Sequence, residues 1–288
     1  MTTRLLPALL TLILIPAAAR ADEKSDMARM AQEHQHDKPT ATQAAMQEPA
    51  RPVDAEEVTY GEVGGKPLRG YAAKPKAASG NLPGLVVIHE WWGLNDNIRA
   101  MTRRLAGEGY HAVAVDLFNG QVAENPDAAM KQVNAVMQNP GPAEENLRRA
   151  VAWLERQGTD KIGVIGWCFG GGWSLGTTLL MPDKIDGTVI YYGRLETDPA
   201  KLAKIKHPVI GFFGAEDGSI PVDTVRKFEA ALKKQGTPVE IKIYEGAGHA
   251  FANPSGGNYR PDAAKDSWQR TTAFLARNLK GGGEAKKK

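Results

Sequence analysis

A single cysteine stands where a nucleophile would be expected. Cys168 is the only cysteine of the 288-residue chain, and it lies in the run GWCFGGG directly after the apolar segment Ile162–Ile165. This is the nucleophile-elbow pattern G-x-S-x-G with Cys in place of Ser, in which a sharp strand-to-helix turn requires small neighbours. The helix N-terminus would favour a thiolate at Cys168, and the amide of Phe169 would point at a developing oxyanion. The alternative is a buried structural cysteine beside a glycine-rich turn.

An acid and a histidine follow in the order that such a nucleophile needs. Asp217 lies in the loop GAEDGSIP after the apolar run Val209–Phe213, and His249 lies in the loop EGAGHAF after Val239–Tyr244. His249 would take and return a proton, and Asp217 would fix its tautomer and stabilise the imidazolium. Glu216 competes for the acid role but is interpreted as a surface charge of the loop. The alternative for His249 is a structural histidine.

The block HEWWG directly follows another apolar run, Leu85–Ile88. In enzymes with a nucleophile elbow the residue after this strand lends a second amide to the oxyanion hole, so the amide of Trp91 is the candidate. Glu90 would place a carboxylate at the edge of the same site, with a solvated loop charge as the alternative. Aromatic side chains in these loops predict an apolar-walled cleft. Its candidate lining is Trp92, Phe118, Tyr191, Tyr192 and Phe251.

The elements that must position these residues alternate between short apolar runs and helical patterns. An opening hairpin is predicted at Glu56–Val63 and Leu68–Ala73, followed by strands that alternate with helices. This order predicts one α/β domain, Asp54–Lys280, with a mostly parallel, doubly wound sheet whose function collects at the carboxyl ends of its strands. The connection from Tyr191 to Pro208 is too short for a separate lid domain.

Three segments lie outside this domain. Residues 1–21 combine a charged start, a short apolar run and an A-x-A site, which predicts a signal peptide and export to the periplasm or the medium. Residues 22–53 hold few large apolar groups and are predicted to be a disordered linker. Within it, His34 and His36 are too few ligands to indicate a metal site. Residues 281–288 are predicted to be a flexible basic tail, without a stable membrane anchor.

The composition excludes several classes of protein. Basic and acidic residues number 36 and 33, so the formal charge of +3 provides no basic excess for nucleic-acid binding. One cysteine excludes a disulfide framework and a paired-cysteine zinc site. The expected partner is a small-molecule substrate of a monomer that requires no metal or organic cofactor.

The blocks HEWWG, DLF, GWCFGG, GAEDGSIP and GAGHAF together resemble the dienelactone hydrolase family of α/β hydrolases. The resemblance covers nearly all of residues 54–280 in order. It implies that Cys168 is the nucleophile and that Asp217 and His249 complete the triad. It also implies a resting thiol that gives its proton to Glu90 when substrate binds, which would protect the thiol from oxidation.

The sequence departs from the family at two positions. Members that act on dienelactone hold its carboxylate with two arginines, where this chain has Gly120 and Asn253. Small soluble esters or other lactones are therefore the expected substrates, rather than dienelactone itself. Arg194 is a candidate anion clamp in their place, with a surface arginine as the alternative.

These observations predict an exported, cysteine-dependent hydrolase of carboxylic esters or lactones. Two other functions compete with it. A thiol-redox protein using Cys168 would lack a resolving cysteine in the chain, and a non-catalytic binding module on a hydrolase fold would not need the complete triad. Ester turnover separates the first function from the other two.

Overall fold

The computed structural model describes most of the chain. The predicted signal peptide (residues 1–21) and basic tail (281–288) lie outside the described residues, and so do residues 22–28. Within the described part, no helix combines the length and the apolar character that a membrane span needs. The described residues are 29, 31–34, 36–37, 39–78 and 80–280.

One sheet of eight strands forms the centre of the molecule. In chain order the strands are β1 (Val53–Val63), β2 (Lys66–Pro75), β3 (Gly84–Ile88), β4 (His111–Val115), β5 (Ile162–Trp167), β6 (Gly187–Tyr191), β7 (Val209–Gly214) and β8 (Val239–Tyr244). Their order across the sheet is β1-β2-β4-β3-β5-β6-β7-β8. The ladders of β2 with β1 and β4 are antiparallel, and the remaining ladders are parallel.

Helices cover both faces of this sheet. Every residue of β3 to β7 is buried. Because successive strand residues face opposite sides, complete burial requires cover on both faces. The helices are α1 (Asp96–Gly107), α2 (Pro126–Gln138), α3 (Gly141–Arg156), α4 (Phe169–Leu180), α5 (Pro199–Leu202), α6 (Val222–Lys234) and α7 (Pro261–Leu279). The predicted mostly parallel, doubly wound α/β fold is therefore confirmed.

The opening hairpin has the turn that its glycines predict. Gly64 and Gly65 take φ values of 57° and 76°, and Val63 pairs with Lys66 across the turn. Positive φ at both central residues suits a turn whose twist matches the flanking strands. The hairpin extends the sheet on the side away from β5, so it does not border the loops that follow β5, β7 and β8.

Four loops that carry candidate residues meet at one edge of the sheet. Glu90 follows β3, Cys168 follows β5, Asp217 follows β7 and His249 follows β8. Because β3, β5, β6, β7 and β8 run parallel, their carboxyl ends lie at the same edge. The sheet order also sets β5 beside β3, so the elbow lies next to the HEWWG block.

Part of the N-terminal segment packs over this edge, within the range 22–53 that is predicted to be a disordered linker. We call its described residues from Ala31 to Ala45 the strap. Ala45 is buried, the backbone amide of Thr42 donates to Ser255 Oγ at 3.0 Å, and the Thr42 hydroxyl donates to the Pro254 carbonyl at 3.0 Å. A segment this polar cannot form a core of its own, but here it is ordered by hydrogen bonds to the domain.

Candidate active site

The elbow holds Cys168 in a strained backbone conformation. Cys168 has φ 53° and ψ −117°, between the end of β5 and the start of α4. A Cβ on Gly166 would lie 2.2 Å from the carbonyl oxygen of Gly170, and a Cβ on Gly170 would lie 2.3 Å from the carbonyl oxygen of Ile88. Both glycines are therefore required by close backbone approach. Such strain costs about 1–3 kcal/mol and is typical of functional sites.

Asp217 and His249 form a buried pair. His249 Nδ1 donates to Asp217 Oδ2 at 2.8 Å, and the other oxygen of Asp217 accepts from the backbone amides of Ser219 and Ile220 at 2.8 and 2.9 Å. These bonds fix the tautomer of His249, so its Nε2 is the atom available for chemistry. Glu216 is exposed, as the sequence analysis interprets it.

The thiol and the imidazole shift each other's protonation. Burial alone would raise the pKa of Cys168, but the neighbouring imidazoles of His249 and His34 outweigh it and lower this pKa to about 6. Burial alone would lower the pKa of His249, but the Asp217 carboxylate and the Cys168 thiolate hold it well above its usual value. At neutral pH the arrangement therefore favours a thiolate next to an imidazolium.

Glu90 lies beside this pair among neutral hydrogen-bond donors. Asn253 Nδ2 donates to Glu90 Oε2 at 2.9 Å, and the Tyr192 hydroxyl donates to Oε1 at 3.4 Å. Burial, together with the charge of Cys168, raises the pKa of Glu90 to about 8. In this arrangement the proton is therefore bound more tightly by Glu90 than by Cys168. The resemblance implies the opposite distribution, with a protonated thiol at rest. Asn253, at an expected arginine position, binds the carboxyl without supplying charge.

The strap brings a second histidine to the thiol. His34 is completely buried, and its Nε2 lies 3.5 Å from Cys168 Sγ while its Nδ1 donates to Asp37 Oδ2 at 2.5 Å. Its ring stacks on Trp91 at a centroid distance of 4.4 Å and meets His249 edge-on at 5.1 Å. Burial would lower the pKa of His34, but the hydrogen bonds to Asp37 and Cys168 raise it to about 9.

The sequence alone does not single out His34 as a candidate site residue. The signal for it is the spacing His-x-x-Asp in the run HQHD, which lets one turn of chain pair His34 with Asp37. His36 in the same run is exposed. The three donors His34 Nε2, Cys168 Sγ and His249 Nε2 lie within 4.8 Å of one another, and they form the one candidate metal-ligand group among the described residues.

Hydrogen bonds tie the strap to the loops that carry the buried pair. Glu33 Oε1 accepts from the backbone amide of Gly218, next to Asp217, at 3.0 Å. Glu33 Oε2 accepts from Asn258 Nδ2 at 3.3 Å, and the same amide group donates to the His249 carbonyl at 3.1 Å. With the strap in place the Cys168 side chain is closed off, with 2% of its surface exposed.

The predicted aromatic lining is buried around the site. Tyr192, with φ 36°, meets His249 edge-on at 5.3 Å and contacts Phe251 at the same distance. Trp92 packs edge-on against Trp91, Phe118 packs against Phe169, and Tyr191 packs against Trp167 and Phe212. Tyr192 therefore contacts the reactive groups, whereas the other predicted aromatics build the wall behind them.

A cavity of about 470 Å³ adjoins the site. Its lining includes Glu90, Tyr192 and Asn253, and it also includes Arg104 and Trp268. The Arg104 guanidinium lies over the Trp268 ring, 4.0 Å from its centroid. Arg104 was also missed, because its place within a helical pattern does not distinguish it from a surface arginine.

The candidate anion clamp Arg194 and the other expected arginine position, Gly120, do not line this cavity. Arg194 is exposed on the loop after β6, beside Gly172 of α4, and is not among the described residues that line the cavity. Gly120 is exposed with φ 84°, and its amide donates to Asp116. Arg104 is thus better placed than Arg194 to receive an anionic group of a substrate in this cavity, which Glu90 also lines.

Comparison with known proteins gives consistent matches. The model of the dienelactone hydrolase family matches residues 68–279. "Protein usf" of Aquifex pyrophilus is 34% identical over 226 residues, 76% of this chain and 96% of that protein. A "putative carboxymethylenebutenolidase" of Saccharolobus solfataricus is 32% identical over 259 residues, 77% of this chain and 98% of that protein. The crystal structure of a "putative dienelactone hydrolase" from Klebsiella pneumoniae is 30% identical, with a TM-score of 0.70, and covers 79% of this chain and 100% of its own.

Proposed function

The chain belongs to the dienelactone hydrolase family and is a hydrolase of ester bonds, and from this premise we propose that it cleaves small carboxylic esters or lactones with Cys168, His249 and Asp217 as its triad. One observation carries this proposal. A buried Asp217–His249 pair, bonded at 2.8 Å, leaves its free Nε2 within 4.8 Å of a thiol held on a strained elbow. That is the arrangement an activated nucleophile requires.

The acylation step follows from these positions. The Cys168 thiolate attacks the ester carbonyl carbon, and the oxyanion that forms is held by the backbone amides of Phe169 and Trp91. The C–O bond to the alcohol then breaks, and the His249 imidazolium gives its Nε2 proton to the leaving oxygen. The product of this half-reaction is a thioester on Cys168 and a free alcohol.

The deacylation step returns the site to its starting state. Neutral His249 takes a proton from water as the water oxygen attacks the thioester carbonyl. The C–S bond breaks, the carboxylic acid leaves and Cys168 is again a thiolate beside the His249 imidazolium. Asp217 keeps its bond to Nδ1 throughout and stabilises the imidazolium in both half-reactions.

Glu90 acts in this scheme as the holder of the proton that leaves the thiol. With the strap closed, its pKa of about 8 exceeds the value of about 6 for Cys168, so in that state the proton lies on Glu90 rather than on the thiol. Asn253 and Tyr192 donate hydrogen bonds to its oxygens and orient it without adding a positive charge. The carboxyl can therefore stay neutral at pH 7.

Substrate access requires the strap to move. His34 Nε2 lies 3.5 Å from Cys168 Sγ, and its ring covers Trp91. An ester carbonyl must approach the sulfur within about the same distance to react, so it cannot share that space with His34. Only the fraction of molecules with a displaced strap would be competent, and the apparent affinity for substrate falls by that fraction.

Steady-state rates with a nucleophile control test the proposal. Purified protein is assayed with p-nitrophenyl acetate and butyrate and with a lactone series that includes dienelactone, next to Cys168→Ala. We expect turnover of neutral esters that depends on Cys168, and little turnover of dienelactone because the two family arginines are absent. Ester turnover by Cys168→Ala at the parent rate would exclude the nucleophile assignment.

The same assay decides between the two competing functions. A thiol-redox protein would consume its thiol with peroxide and leave esters intact, whereas a binding module would do neither. Fast dienelactone cleavage would instead show that another cation holds the carboxylate, and Arg104 would be tested before Arg194 because it lines the same cavity as Glu90.

Export belongs to the same proposal. The charged start, short apolar run and A-x-A site of residues 1–21 support secretion to the periplasm or the medium. Sequencing the N-terminus of the protein recovered from a periplasmic fraction tests it, and a chain that still starts at Met1 in the cytoplasmic fraction would refute it.

A further inference from the structure

We propose that His34, Cys168 and His249 form a binding site for a borderline-soft divalent metal ion such as Zn²⁺, which the strap completes and whose occupation silences the hydrolase. The metal site stands on its own geometry. Only its inhibitory effect rests on the proposed function.

The spacing of the donors suits a tetrahedral ion. Zn–N and Zn–S bonds of about 2.0–2.1 and 2.3 Å at a tetrahedral angle give an N–S edge of about 3.5 Å. The distance from His34 Nε2 to Cys168 Sγ is 3.5 Å, and the three donor atoms all lie within 4.8 Å of one another. The two edges that involve His249 Nε2 are at most 4.8 Å, so these atoms must move closer together when the ion binds.

Both imidazoles carry the partner that metal-ligating histidines usually have. Asp37 accepts from His34 Nδ1 at 2.5 Å, and Asp217 accepts from His249 Nδ1 at 2.8 Å. A carboxylate on the far nitrogen fixes the ring and makes the near nitrogen a better ligand. All four of these side chains are buried.

One donor atom has no other partner. His249 Nε2 is completely buried and makes no well-aligned hydrogen bond with the described residues, although Cys168 Sγ, with which it acts in the proposed hydrolysis, lies within 4.8 Å. A buried polar atom without a partner is unusual and calls for an explanation. A metal ion between the two Nε2 atoms and Sγ would satisfy it, in the pocket that the strap closes.

The hydrolytic mechanism leaves the second carboxylate–histidine pair unused. Acylation and deacylation need one base, His249, and His34 blocks the approach of the ester. A ligand set of one thiolate and two imidazoles favours Zn²⁺, Co²⁺ or Cu²⁺ over Mg²⁺ or Ca²⁺, which prefer oxygen.

Metal binding would lock the closed state. The ion forms one bond to Sγ and one to each Nε2, a water molecule takes the fourth tetrahedral position, and any protons on these nitrogens leave to solvent. The thiolate lone pair and the base of the triad are then both occupied, and the bond to His34 keeps the strap over the site. Hydrolysis should fall in proportion to the metal-bound fraction.

Cobalt absorption reads the site directly. The full chain is purified without a polyhistidine tag, reduced, freed of metal with a chelator and titrated with Co²⁺. We expect one equivalent to give a thiolate-to-Co²⁺ charge-transfer band in the near ultraviolet and strong visible bands of tetrahedral Co²⁺. Zn²⁺ should displace the Co²⁺ and bleach both sets of bands.

Variants of the strap assign the ligands. His34→Ala should weaken Co²⁺ and Zn²⁺ binding by about 100-fold or more, and Asp37→Asn, which keeps the ligand but loses its support, by about 10–100-fold. Cys168→Ser should abolish the charge-transfer band. His36→Ala is the matched control, because His36 lies two residues away and is exposed, and it should bind like the parent.

Several results would overturn the inference. Parental Co²⁺ affinity in both His34→Ala and Asp37→Asn would exclude the strap, and the absence of the charge-transfer band in the parent would exclude Cys168. Inhibition of ester turnover by Zn²⁺ should need about 100-fold more metal in His34→Ala. If the protein shows these spectra but cleaves no ester, the proposed function fails while the metal site stands.

Discussion

Replacing Glu33 by Ala should raise the fraction of molecules with an open strap without removing a group that contacts the thiol. Glu33 accepts hydrogen bonds from the Gly218 amide at 3.0 Å and from Asn258 Nδ2 at 3.3 Å. Neither of these bonds involves Cys168. The strap must be displaced before any reagent reaches Cys168 Sγ. The rate of thiol modification therefore measures the opening equilibrium multiplied by the intrinsic rate.

The size of the effect follows from these two bonds. Hydrogen bonds to a charged group contribute about 1.5–3 kcal/mol each when well shielded. Glu33 is only half-buried, so about 1–2 kcal/mol for both bonds together is the realistic loss. At about 1.4 kcal/mol for each factor of ten, the open fraction should rise by about 5- to 30-fold.

Alkylation by iodoacetamide, followed by intact-mass spectrometry, measures this directly in metal-free protein. Glu216→Ala is the matched control, because it removes the same charge from an exposed position in the loop of Asp217. The Glu216 variant should react like the parent, and Glu33→Ala should react about 5- to 30-fold faster with a parallel rise in kcat/KM. Parental alkylation in Glu33→Ala would refute the conclusion that the strap controls access.

Four other predictions concern the nucleophile, its protonation, the elbow and the cavity. Cys168→Ala should abolish ester turnover with a nearly unchanged melting temperature, and Cys168→Ser should be a poor enzyme, since a hydroxyl demands more of His249 than a thiol does. In metal-free protein the alkylation rate should be constant above neutral pH and fall as pH drops through about 6, where the Cys168 thiolate takes up a proton. A midpoint of the pH profile near the usual thiol pKa of about 8.5 would contradict the conclusion that the two imidazoles lower the pKa of Cys168. Gly170→Ala should cost about 3 kcal/mol or more of unfolding free energy because its Cβ would lie 2.3 Å from a backbone oxygen. Gly176→Ala on the same helix, whose Cβ meets only Trp173 at 3.5 Å, should be neutral or stabilising by urea denaturation. Arg104→Met should raise KM for esters that carry a carboxylate and leave KM for p-nitrophenyl acetate unchanged; equal effects on both substrates would exclude an anion contact.

The sequence predicts the part of the site that depends on strand ends. Cys168, Asp217 and His249 each directly follow a short apolar run, and in a parallel sheet the ends of such runs share one edge. This convergence can be predicted from the order of the motifs along the chain, without knowing how the side chains pack. The glycines around Cys168 add a local reason, because close backbone approach leaves no space for a Cβ.

The part that the sequence does not predict depends on polar contacts between distant segments. The strap has no apolar periodicity, and its order comes from Glu33, His34 and Asp37 pairing with loops that lie far along the chain. The composition of a segment indicates how much apolar surface it can bury. It does not indicate which backbone amides of a distant loop lack a hydrogen-bond partner that the segment could supply. Arg104 is similar, because its partner Trp268 belongs to the last helix.

The strap also reconciles the thiolate of this arrangement with the resting thiol that the family resemblance implies. His34 is one of the two imidazoles that lower the pKa of Cys168, and it acts only while the strap is closed. When the strap leaves, that contribution is lost, so the pKa of the thiol rises towards its usual value and its proton again has to be taken up within the site. Glu90, whose oxygens accept hydrogen bonds from Asn253 and Tyr192, is the group next to the thiol that can receive this proton. In the proposed mechanism the closed state therefore keeps the thiolate out of reach of substrate, and the open state exposes a sulfur whose activation would depend on Glu90 and His249.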